Sequence, residues 1–245
     1  TGDNSEYGIG FKAAVEIMVD KWNTEKGGVL GRKIEVVSFD DKNTPEEGGS
    51  IAQKIASDPD IYGVIGHFAS GVTMTATPTY QKNKIVIIAP SSSHPDYTKE
   101  GDFIFRNNPL NMAEVGVTVD LAVNYHKATK LGLLSIKTDW GTSTAEAVRK
   151  IVADKYAAQG VEIVADEVVV EGSDDYSPAI TKMKEAGVEA VICVSMYSTL
   201  APFTVQYKQV DPNIKVCGTT NSYTDQLLKL GGPAVEGVTF PVVFF

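Results

Sequence analysis

The sequence predicts an α/β protein with parallel sheets in two lobes, and three observations carry that expectation. Short apolar runs alternate with helix-like segments along most of the chain, the βα pattern of parallel sheets. The stretch from Ile61 to Ser93 is a complete strand–loop–helix–strand–loop unit. The alternation then breaks at Asn107, Asn108 and Pro109 and restarts, which predicts a second βα run and a crossing near 106–111.

The elements follow in order. Residues 1–7 read as a polar loop. A helix is expected over 8–22, with Phe11, Ala14, Val15, Met18 and Trp22 on one face at spacings of three and four. Gly27, Gly28 and Gly31 turn the chain into a strand over 34–39, which Asp40, Asp41 and Pro45 end. A second helix covers 46–57, with Ile51 and Ile55 inward. Strands near 61–66 and 85–89 flank a helix, and a short strand covers 102–106. The second run starts with a helix over 111–126. Strands at 131–137, 161–170, 188–196, 215–218 and 237–245 alternate with helices at 142–158, 176–186, 200–209 and 224–230.

Composition bounds the function. The 245 residues carry 31 acidic and 22 basic side chains, a net charge of -9, with a pI of about 4.9. Such a surface repels a nucleic-acid backbone. Hydrophobic residues make up 43%, enough for a sizeable core. No apolar run approaches the roughly 20 residues of a membrane helix. Cys193 and Cys217 lie in strand-like runs without CxxC spacing, so they read as buried thiols and leave the compartment open.

The chemistry-bearing residues gather at strand ends. Ser70 follows the strand ending at Gly66, and Ser91, Ser92 and Ser93 follow the strand ending at Ala89. In parallel sheets ligands bind outside the carboxyl ends of the strands. Ser70 also sits where a helix begins, a favourable place for an anion. Capping of helices and turns is the competing reading of the same serines. Tyr7, Trp140 and Tyr197 stand at loop positions by the same layout, either as apolar walls of a small-molecule pocket or as ordinary packing.

Several chemistries lack their residues. There is no P-loop, no GxGxxG and no GxSxG elbow. His67 and Ser70 share one loop without an evident orienting acid, which is not a triad. His67, His94 and His126 show no metal-binding spacing, so neither a metal nor another cofactor is expected. Asp40 and Asp41 read as a solvated strand end, and Asp174 and Asp175 as helix-capping residues.

At these residues the chain resembles the branched-chain amino-acid-binding family of periplasmic solute receptors, the leucine/isoleucine/valine-binding type that serves ABC transporters. The matching pieces are Thr1 to Asp3 with Glu6 to Gly8, Lys26 to Ile34, Phe39 to Asp41, and Val64 to His67 with Ser70. Pro90 to Ser93, Phe105 with Arg106, Trp140 with Gly141, Asp174 to Ser177, and Gly231 to Val238 complete the set. They run in the family's order over the whole chain.

The resemblance implies a type I periplasmic-binding-protein fold of two Rossmann-like lobes joined by a hinge, closing on a small ligand. It implies an N-terminal lobe over 1–108, without its first strand and its C-terminal return, and a C-terminal lobe over 109–240. Residues 241–245 would start the hinge return, and the chain looks cut at both ends. Ser70, Ser91, Ser92 and Ser93 match positions that hold the ligand's α-carboxylate, with the Ser91 carbonyl directed at the ammonium. Tyr7, Trp140 and Tyr197 match ligand-lining positions, Trp140 where tyrosine is usual.

One position departs from the family. Its amino-acid binders place an acid after the strand near Cys217 to pair with the ammonium, and here Thr220 holds that place. Either Asp139 substitutes, or the ligand is a carboxylate or amide without a charged amine. The implied protein is not an enzyme. It is an extracytoplasmic solute-binding protein, periplasmic or extracellular and in some members lipid-anchored, that hands its ligand to an ABC transporter permease. The alternative is a ligand-sensing domain of a receptor or regulator on the same fold. A hydrolase built on Ser70 would instead react with a serine-directed covalent probe.

Overall fold

The computed structural model describes residues 4–242. These fall into two compact units that meet in sequence between Asn108 and Pro109. Each unit carries its own parallel sheet, one of three strands and one of four.

The first unit opens with α1 (Ser5–Glu25), which starts earlier than the sequence suggests and takes in Tyr7. None of its side chains is buried, so the apolar face expected of Met18 and Trp22 stays exposed. The strand expected over 34–39 does not form. The segment has no ladder partner among the described residues, and most of it is exposed. Its two ends are tied down: the Ile34 N–H donates to Asn23 Oδ1 and its carbonyl accepts from Asn23 Nδ2, both at 2.8 Å, and Phe39 packs on the core of the unit beneath the Lys54 ammonium.

Thr44 caps α2 (Pro45–Ala56) by accepting from the Glu47 N–H, with Pro45 in the first turn. Next come β1 (Gly63–Ile65), α3 (Ser70–Asn83), β2 (Val86–Ala89) and β3 (Ile104–Arg106). The strands pair in parallel in the order β1-β2-β3. One face packs on α2 and α3 through Ile87, Ile104, Ala52, Ile55, Ala76 and Tyr80. On the opposite face Ile65, Ile88 and Phe105 lie in register across all three strands, and all three are exposed.

The second unit starts with α4 (Asn111–Asp120). The helix widens at its end, where the His126 N–H reaches back five residues to the Leu121 carbonyl. There follow β4 (Lys130–Ile136), α5 (Asp139–Ile151), β5 (Glu162–Val169), α6 (Ser177–Glu185), β6 (Ala190–Val194), α7 (Tyr197–Val210), β7 (Lys215–Cys217) and α8 (Asp225–Gly231). Its sheet runs β5-β4-β6-β7, all parallel. β6 is buried at every residue and β4 at all but its first, which is why both read as continuous apolar runs.

The expected final strand is absent as well. Thr239 makes one isolated parallel bridge to Cys217, and no strand forms over 237–242. The rest of that expectation, residues 243–245, and the residues 1–3 quoted for the resemblance lie outside the described residues.

Candidate functional site

In the first unit the serines collect at the carboxyl ends of β1 and β2. Ser70 opens α3, yet Ala69 is the N-cap and no side chain caps that helix. The capping reading of Ser70 therefore fails. Its side chain turns to the β2 loop, where the Ser92 hydroxyl donates to Ser70 Oγ at 3.4 Å. Ser70, Ser92 and Ser93 are 2%, 0% and 5% exposed, so this is a buried hydroxyl group rather than an open rim. The loop backbone is anchored from below. Asn108 Nδ2 donates to the Ser91 carbonyl at 2.9 Å, and Arg106 Nη1 donates to the carbonyls of Ser92 and His94 at 3.3 and 2.9 Å.

The loop between β1 and α3, which leads into Ser70, is held by His67. Its Nδ1 lies 2.7 Å from Asp41 Oδ2 and its Nε2 lies 3.1 Å from the Tyr80 hydroxyl. Asp41 is thus no freely solvated strand end. Burial pushes its carboxyl up, but the bonds with His67 and the Asn43 N–H outweigh burial and hold it below its usual range. His67 does have an acid beside it, which the sequence did not disclose. Its Nε2 faces Tyr80 rather than Ser70, so the pair activates no nucleophile. Tyr7 stacks on Phe68, with ring centroids 4.8 Å apart. That places an aromatic wall on the residue next to His67.

In the second unit the sheet order reverses direction between β4 and β6, because β5 lies outside β4 while β6 and β7 extend the other way. Such a reversal opens a crevice at the carboxyl ends of the two central strands. Asp139 and Trp140 follow β4 and Tyr197 follows β6, so all three lie at this end of the sheet. They are not loop residues. Asp139 and Trp140 form the first turn of α5, capped by Thr138 accepting from the Gly141 N–H, and Tyr197 opens α7. The helices start early because each N-cap lies only two residues past its strand, Thr138 after Ile136 and Met196 after Val194. Trp140 and Tyr197 are largely buried, and Asp139 is exposed.

Thr220 follows β7. Its N–H and its hydroxyl both donate to Glu114 Oε1, at 2.7 and 2.8 Å. The position is neutral, but a carboxylate from α4 lies against it. Burial raises the Glu114 carboxyl, and the two Thr220 bonds only partly offset that. Sequence reasoning missed this residue: an acid in the first turn of a helix reads as a response to the helix dipole. The neighbouring Thr219 hydroxyl donates to the Ser195 carbonyl at 3.2 Å and locks the ends of β7 and β6 together.

Among the described residues no group of three or more His, Cys, Asp or Glu side chains is placed to hold a metal ion. No described helix is long and apolar enough to cross a membrane.

Comparison with known proteins identifies the family. The family model described as "Periplasmic binding protein" matches residues 1–245. The chain is 30% identical over 238 residues to the Leu/Ile/Val-binding protein homolog 1 of Brucella suis, covering 97% of this chain and 62% of that protein. It is 28% identical to an ABC transporter substrate-binding protein from Desulfitobacterium hafniense solved in complex with Leu, with a TM-score of 0.66 over 85% of this chain and 61% of that one. At 18% identity it shares its fold with a solute-binding protein of an R. palustris ABC transporter, solved in complex with 4-hydroxybenzoate, with a TM-score of 0.81 over 95% and 62% of the two chains. The chain thus spans about 62% of the length of its curated relative. The family is extracytoplasmic and consists of solute-binding proteins, not enzymes. By the match of its whole length to the family model, the chain belongs to the periplasmic binding protein family.

Proposed function

We propose that this chain is the ligand-binding part of an extracytoplasmic solute-binding protein that delivers a small amino acid to an ABC transporter permease. The observation that supports it most is the buried hydroxyl group of Ser70, Ser92 and Ser93 at adjacent strand ends. Three hydroxyls and the N–H groups of the α3 start suit one small carboxylate. In the first unit Tyr7 adds an aromatic wall beside the serine loops; in the second, Trp140 and Tyr197 offer apolar side chains, and Asp139 and Thr220 polar ones, at the carboxyl ends of β4, β6 and β7. On this reading the two lobes are residues 1–108 and 109–240. The name of the Brucella relative favours a branched aliphatic amino acid.

A thermal-shift and calorimetric series with L-leucine, L-isoleucine, L-valine and 4-hydroxybenzoate tests this reading. A ligand that binds only the native state raises the melting midpoint. We expect the branched amino acids to raise it, in saturable fashion. No shift with any amino acid would defeat the amino-acid reading. A sensing domain on the same fold would bind a ligand equally well but would not restore uptake in a transporter lacking its own binding protein.

A further inference from the structure

The geometry points to Glu114 as the specificity-determining residue for a ligand amine: its carboxylate, steadied by Thr220, is the group that meets an ammonium at the carboxyl end of β7. The inference rests on the reading of the chain as an amino-acid-binding protein and adds which residue recognises the amine.

Three features of Glu114 support this. First, the carboxylate is half spent. Both bonds from Thr220 end on Oε1, while Oε2 makes none among the described residues and is not among the buried polar atoms lacking a partner. One oxygen is fixed and the other remains open to a ligand. Second, no lysine, arginine or histidine pairs with Glu114 among the described residues. A carboxylate drawn out of water without a counter-charge carries a desolvation cost. A glutamine would accept the same two bonds from Thr220 without that cost. The negative charge is therefore surplus to the fold, and a bound cation is what would use it.

Third, the carboxylate is held in position. Asn111 Nδ2 lies 3.3 Å from the hydroxyls of Ser143 and Thr144 on α5, and the Thr118 hydroxyl donates to the Gly218 carbonyl at 3.3 Å. These bonds pin α4 on both sides of Glu114, against α5 and against the end of β7. Rigid placement of this kind is what selective recognition of one group needs. Asp139, the substitute the sequence offers, is exposed at the start of α5 and has no comparable scaffold. A primary or α-ammonium, with three N–H donors, fits a carboxylate oxygen with free lone pairs.

The test compares two probes that differ only in the amine: L-leucine and 4-methylpentanoate. Each is titrated calorimetrically into the wild-type protein and into Glu114→Gln. The wild type should bind L-leucine at least ten times more tightly than 4-methylpentanoate. Glu114→Gln should lose about ten- to a hundredfold in affinity for L-leucine and keep its affinity for 4-methylpentanoate. Unchanged L-leucine affinity in the variant would overturn the inference and leave the amino-acid-binding reading standing. Equal losses for both probes would overturn it too, by showing a structural role. Should Glu114→Gln fail to fold, equal wild-type affinity for the two probes overturns the inference, and Asp139→Asn decides the remaining case: loss of the preference for L-leucine would assign the amine to Asp139 and overturn the inference, and a retained preference would support Glu114. A wild type that binds neither probe nor any other amino acid removes the binding reading and this inference together.

Discussion

Asp41 Oδ2 lies 2.7 Å from His67 Nδ1, and this contact ties the turn before α2 to the loop that carries Phe68 and Ser70. Its energetic sign follows from Asp41. The folded carboxyl titrates below its ordinary value of 3.8. Its contribution is therefore complete above that value and is lost as pH falls through the lower folded pKa. We expect the urea midpoint of the wild type to fall in this acid range. Asp41→Asn should cost about 1–3 kcal/mol at neutral pH and flatten the acid limb. An unchanged acid limb in Asp41→Asn would show that other carboxylates govern it.

Glu114 has the opposite sign. Its folded pKa is raised, so it favours folding below its ordinary value of 4.5 and opposes it as pH rises through the folded value. In the absence of ligand, Glu114→Gln should therefore be at least as stable as the wild type at pH 7, and the gain should shrink towards pH 4. Thermal melts of both proteins across that range check this.

Ser70→Ala and Ser93→Ala should weaken L-leucine binding by about ten- to a hundredfold each, the worth of a hydrogen bond to a charged group. Because Ser70 caps nothing, its loss should cost about 1 kcal/mol or less in the ligand-free protein. That cost reflects the Ser92 hydroxyl losing its acceptor at 3.4 Å. Affinity and ligand-free unfolding measured on the same variants separate the two effects. Unchanged affinity in both would remove the serines from the site.

Gly141 is required by contact rather than by conformation. A Cβ there would meet the Ile136 carbonyl oxygen at 2.0 Å. Gly141→Ala must push α5 away from β4, and we expect a loss of about 2–3 kcal/mol. At Gly116 the nearest atom to an added Cβ is Ile151 Cδ1 at 4.0 Å, so Gly116→Ala serves as the tolerated control. Similar chemical denaturation midpoints for the two variants would show that α5 yields without strain.

Both cysteines are free and buried. Burial pushes the Cys193 thiol to about 12 and the Cys217 thiol to about 11. Neither should react with a thiol-directed disulfide reagent in the native protein, and both should react in denaturant.

Much of the fold was legible because periodicity and breakers are local signals. The break at Asn107 to Pro109 falls where the two units meet, and the apolar runs at 131–137 and 188–196 contain β4 and β6. Residues 34–39 and 237–242 have strand composition but no ladder here, since pairing is a property of a neighbour and not of the segment. Ser70 and Ser92 could be brought together on paper because adjacent parallel strands place their ends about 5 Å apart. The contact of Glu114 with Thr220 joins residues 106 positions apart, and nothing local to either announces it. The same holds for Asp41 and His67, which only the packing of α2 on α3 brings close.

The two sheets also differ in how much water their strands already see. In β2, Val86 and Ile88 face solvent while Ile87 and Ala89 are buried, whereas every residue of β6 is enclosed. Unfolding the first unit therefore wets less new apolar surface per residue than unfolding the second. The steepness of a denaturant transition and the heat-capacity increment both scale with newly wetted surface. If the two units unfold as separate blocks, the first should unfold over a shallower denaturant transition than the second. Amide exchange read strand by strand would report this as early labelling of β1 to β3 and the slowest labelling in β4 and β6.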